Sequence, residues 1–174
     1  NIEIGRSKAA VGGNIKIAAG SSSLGTGGEI EVLSGSSKSG SSGNIFIGTG
    51  KGGITGQSGD IELQTGNAGS EGSGSVKLLT GASLSGNSGG IMLSVGSSAS
   101  GGGGDVIIDG GDSNTATGGS IILKSGGSRE GTSGSLAIST GNGGSEGSSG
   151  SLLLQTGTAG AGSSGSISIK TGES

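Results

Sequence analysis

A short aliphatic pattern returns along almost the whole chain, at intervals of 15 or 16 residues after a first interval of 13. In each copy one aliphatic residue is followed two positions later by a second, the alternation typical of a half-buried β-strand. The segment 59–66, GDIELQTG, returns as GSVKLLTG at 74–81 and as GSISIKTG at 165–172. Twelve such copies span the 174 residues. This self-similarity predicts an array of similar units rather than one globular core.

Hydroxyl residues and glycines mark fixed places in each copy. Two positions after the second aliphatic residue the commonest residue is Thr or Ser, which shares the face of the aliphatic pair. A glycine follows this hydroxyl position directly, and another stands two residues before the first aliphatic residue. Because Gly reaches positive φ and permits close backbone approach, these glycines are predicted to form corners between short straight sides.

One copy cannot bury its own aliphatic face, so the copies are expected to stack. The prediction is an all-β fold, a parallel β-solenoid of about twelve 15-residue repeats in which 1–174 form a single array. A coil of 30 residues with two sides is the alternative. The outer residues Glu3, Lys16 and Glu31 alternate in sign, and like charges stacked on neighbouring strands destabilise a sheet, which favours one repeat per coil.

Composition excludes several classes of function. The chain has 47 Gly but no Pro, Cys, His, Trp or Tyr. Without His or Cys, and with its many Ser residues lacking a partner base, it is not expected to be an enzyme. Its net charge of −3, spread along the chain, predicts no nucleic-acid binding, and no apolar run predicts membrane insertion. A flexible Gly/Ser linker is the alternative to a fold, but the in-register aliphatic pairs argue against it.

One stretch departs from the repeat. Residues 101–114, GGGGDVIIDGGDSN, bring Asp105, Asp109 and Asp112 into a glycine-rich setting. Carboxylate oxygens are the ligands that calcium prefers, and the stretch faintly resembles the calcium-binding nonapeptide of RTX proteins. The resemblance covers one site and implies calcium as the sole candidate cofactor. A solvated turn is the alternative interpretation.

The outer positions of the second half are apolar where those of the first half are charged. Contiguous exposed apolar area usually marks an interface. The chain is therefore expected to self-associate, as a homopolymer or within a longer array, unless its own loops cover these positions. The candidate interface residues are Phe46, Met92, Ile107, Ile122 and Leu153.

The ends of the chain fit the same interpretation. The sequence opens on Asn1 and finishes on a repeat, with no polar capping repeat at either end. Uncapped ends expose strand edges that invite further strands. The chain is thus expected to be a processed segment of a longer repeat protein.

The whole pattern resembles the Gly/Ser/Thr-rich β-solenoids of adhesins, cell-surface appendages and matrix fibrils. That resemblance implies a structural role in an extracellular or cell-surface filament, stalk or appendage. Fifteen-residue coils rich in Thr are also similar to insect antifreeze β-helices, so a module that binds ice or glycan is the alternative function.

Overall fold

The computed structural model describes residues 2, 4 and 11–173, and none of them belongs to a helix or a β-strand. Nearly all close approaches of the chain join residues fewer than twelve positions apart. The predicted all-β parallel solenoid is therefore wrong, and so is the 30-residue coil. Both need backbone ladders between successive copies, and the described residues form none. Glu3, on which the choice between the two coils partly depended, lies outside the described residues.

Sharp bends recur along the chain with the period of the sequence. Successive bends lie 15 or 16 residues apart, and the chain between them runs without another sharp change of direction. We call these intervening stretches straight segments. The repeat of the sequence is thus a repeat of local structure, although the copies do not form a sheet. The bends and turns lie at 23–25, 38–40, 54–55, 69–71, 84–86, 99–101, 114–116, 129–131, 145–146 and 160–162.

Pairs of glycines close several of the loops that contain these bends. The backbone N–H of Gly28 donates to the carbonyl of Gly20 at 2.8 Å, and the N–H of Gly119 donates to the carbonyl of Gly111 at 2.7 Å. Each bond joins points eight residues apart, as at the neck of an Ω-loop. The same bond at 2.9 Å closes the loops 35–43 and 126–134.

Serine side chains hold the bends inside six of the loops. In each, the Ser Oγ accepts a hydrogen bond from the backbone N–H three residues later, at 2.8 to 2.9 Å. Ser and Thr commonly stabilise turns in this way, since a short side chain can satisfy a backbone donor. The periodic Ser therefore has a local structural role. The six residues are Ser22, Ser37, Ser83, Ser98, Ser113 and Ser128.

The glycines at the loop necks are needed for close approach, not for positive φ. Within the described part of the chain, no residue has positive φ, so the predicted left-handed corners are absent there. A Cβ added at Gly119 would lie 2.9 Å from the nitrogen of Gly111, and one added at Gly28 would lie 3.1 Å from the Cβ of Ala19. A larger residue at these necks would force the two arms of the loop apart.

The hydroxyl position packs against the same necks. A Cβ added at Gly74 would meet the Cγ2 of Thr65 at 3.4 Å, and one added at Gly165 would meet the Cγ2 of Thr156 at 3.5 Å. Thr156 and Ser125 are half-buried, and both occupy this position. Glycine thus leaves room for the threonine methyl group against the returning chain.

The aliphatic pairs find no such cover. The accessible surface is 17579 Å², whereas a folded monomer of 15.9 kDa is expected to expose about 7,400 Å² and its unfolded chain about 23,000 Å². No hydrophobic side chain is buried among the described residues. From Ile15 onward, the first aliphatic residue of each copy is 51–61% exposed. The face predicted to form the core is thus open to solvent.

The chain divides into two units, Asn1–Ile91 and Met92–Ser174. The division coincides with a longer sequence repeat, because an offset of 91 residues aligns the two units with nearly half of the residues identical. The loop bonds follow the same offset, since the closures of 20–28 and 35–43 return at 111–119 and 126–134. The first unit and the second are therefore two copies of one arrangement of loops.

Replacing Gly119 by Ala should open the loop that it closes, because the added Cβ would lie within contact distance of the Gly111 nitrogen. Loss of one backbone hydrogen bond is worth about 1 kcal/mol, so the amide of residue 119 should exchange with solvent roughly fivefold faster. Amide exchange followed by NMR measures this. Gly141→Ala is the control, since nothing lies within 4 Å of a Cβ there. Equal effects of both variants would contradict the role of Gly119.

Replacing Ser37 by Ala should loosen the bend at 38–40, because the Gly40 N–H then loses its 2.9 Å bond to Oγ. The bond is exposed, so the expected cost is local and below about 1 kcal/mol. A shifted Gly40 amide resonance and faster exchange of that amide would report it. Ser36→Ala, which removes a neighbouring hydroxyl without such a bond among the described residues, should leave the Gly40 amide unchanged.

Candidate functional site

The described residues form no pocket that could hold a small substrate. Their Ser and Thr hydroxyls lie on exposed loops and segments, and no His or Cys exists to activate them. General-base activation of a hydroxyl requires a titratable partner within hydrogen-bonding reach. The surface of the chain is therefore where a function must be sought.

The three aspartates of the glycine-rich stretch are exposed and separated by the loop geometry. Asp105 and Asp109 precede the loop 111–119, whereas Asp112 lies inside it. Across the described residues, no group of three or more acidic side chains is placed so that it could share a metal ion. The structure thus does not assemble Asp105, Asp109 and Asp112 into a calcium site.

The candidate interface residues are the most exposed aliphatic or aromatic side chains of the straight segments. Phe46 is 92% exposed, and Met92, Ile107, Ile122 and Leu153 are 76–87% exposed. Each stands beside an aliphatic pair whose first member is only 51–61% exposed. Exposure therefore alternates along the segments with the parity that the sequence predicted. The structure does not stack these residues into a continuous stripe, because the copies form no sheet.

Three further apolar residues lie at loop tips, where the sequence gave no reason to expect them. Leu24, Ile54 and Leu84 are fully exposed and lie in or beside the bends. They recur every 30 residues and only in the first unit. The aliphatic alignment missed them because they fall outside the alternating positions, but their spacing of two repeats was a readable signal.

No helix of the described residues is suited to crossing a membrane. Comparisons with protein-family models, with curated proteins and with solved structures gave no significant match. The function is therefore argued from the residues and surfaces of this chain alone.

Proposed function

We propose that this chain is a structural repeat protein, a segment of an extracellular or cell-surface filament, stalk or appendage that acts by associating with other copies of itself. It is not an enzyme in this proposal and uses no cofactor. The regular arrangement of loops and segments is itself the functional device. Each copy of the repeat presents the same kind of surface at the next position along the chain.

The observation that carries the proposal is the exposure of every aliphatic pair. Each described large hydrophobic side chain is at least 43% exposed. Burying one such side chain is worth roughly 1.5–3 kcal/mol, so the aliphatic residues of one chain offer a large gain to association. A monomer with this much apolar surface in water is prone to associate.

Composition supports a structural role in place of chemistry or nucleic-acid binding. The chain lacks His and Cys, and its nine basic residues are outnumbered by twelve acidic ones. Surface binding of ice or glycan is the alternative function. The packing of Thr65 and Thr156 against loop-neck glycines gives these threonines a local role, which supports association over an ice-binding threonine array.

The pair of changes Ile107→Lys and Ile122→Lys should weaken association. These side chains are 76% and 83% exposed, so charging them leaves the isolated chain intact but makes their burial against another copy costly. Sedimentation velocity over a concentration series should show larger species for the unmodified chain and a midpoint shifted at least tenfold for the variant. Electron microscopy should show polymers of the unmodified chain only.

The matched control exchanges Lys16→Glu and Glu31→Lys, the residues that hold the corresponding places in the first unit. This control keeps the number of charged outer residues constant, so its effect reports charge placement and not loss of apolar surface. An unmodified chain that stays monomeric at millimolar concentration would refute the proposed assembly. It would favour the surface-binding alternative.

A further inference from the structure

The two units differ systematically at the outer positions of their straight segments. By outer pair we mean the residue between the two aliphatic residues and the residue just after them, such as Glu31 and Leu33. Both have the same parity, so in a segment without bends they lie on one face. Leu33 is 76% exposed, whereas the neighbouring aliphatic Ile30 is 53% exposed. The outer pair is thus the surface that a segment offers first.

Charged and apolar residues exchange places in the outer pairs when the units are aligned at the offset of 91 residues. Glu31 and Leu33 of the first unit correspond to Ile122 and Lys124 of the second. In the preceding segment, Lys16 and Ala18 correspond to Ile107 and Asp109. Where one unit has a charge the other has an aliphatic residue, and the reverse holds in all but Ala18.

This exchange makes the two outer faces complementary when they meet with opposite chain directions. Glu31 then faces Lys124, and Leu33 faces Ile122. In the next segment, Lys16 faces Asp109. We propose that the outer face of the first unit of one copy docks on the outer face of the second unit of another copy in this antiparallel register.

Contacts between like units are disfavoured by the same positions. If the second unit met itself in this register, the Ile122 side chain would face the Lys124 ammonium group. A charge buried against an aliphatic side chain without a partner is costly. First-unit pairing has the same defect, because Glu31 would face Leu33. Only the unlike pairing matches charge with charge and apolar with apolar.

The matched surface has definite limits. In a third segment Glu62 faces Gln155, and Gln64 faces Leu153, which gives a carboxylate–amide contact instead of an ion pair. In the last segment of the units Lys77 would face Lys170, so complementarity ends there. A contact between unlike surfaces leaves each copy with one free surface of either kind, and association can continue beyond two copies.

Cysteine cross-linking tests the pairing cleanly because the chain has no Cys of its own. A chain with Leu33→Cys is mixed with a chain carrying Ile122→Cys under mild oxidation. The two Cβ atoms must come within about 4.5 Å for a disulfide, so the mixture should form cross-linked pairs much faster than either chain alone. Equal or faster cross-linking of either single variant would overturn the proposal, and so would an associated mixture that forms no disulfide.

Charge reversal provides an independent second measurement. Glu31→Lys and Lys124→Glu should each weaken association roughly three- to tenfold, because like charges then meet. Both changes in one chain should restore the affinity to within about twofold. Glu71→Lys, in the bend at 69–71, is the control and should change little. Failure of the double change to restore affinity would refute the pairing.

The inference depends on the proposed self-association, and the two can fail separately. If the unmodified chain associates but neither cross-links nor charge changes follow the predicted pairs, the pairing is wrong and the structural function stands. If the unmodified chain does not associate in sedimentation, both are wrong.

Discussion

The burial of two aliphatic side chains per fifteen residues is the constraint on which the rest of the structure depends. One repeat is too short to cover its own pair, and the loops that fold back over eight residues reach only the threonine or serine position and not the aliphatic residues. Local bonds therefore define each loop, while the apolar face stays open. Any cover for that face must come from residues distant in the chain or from another molecule.

The sequence predicted the local features of the fold well. The period, the parity of the aliphatic residues and the structural role of loop glycines all follow from short-range chemistry, namely alternation along a segment and the small size of Gly. Stacking was wrong because a ladder needs non-local backbone pairing, which a periodic pattern permits but does not encode. Left-handed corners were wrong because close approach at Gly119 and Gly28 already explains glycine there.

Two features of the surface were readable but overlooked. The search for the shortest period concealed the offset of 91 residues, at which the loop bonds and nearly half of the residues recur. The apolar loop tips fell outside the alternating positions and followed two repeats instead of one. The acidic stretch at Asp105, in contrast, was read as a ligand set from composition, and composition does not fix whether side chains converge.

Amide hydrogen exchange measured over a range of chain concentrations tests the central claim most directly. If order beyond the loops comes from association, amides of the straight segments should exchange freely in dilute solution and become protected as concentration rises, in step with the sedimenting species. Strong protection of those segments that does not change with concentration, in a sample that sediments as a monomer, would contradict the account. It would mean that the chain buries its aliphatic face without a partner.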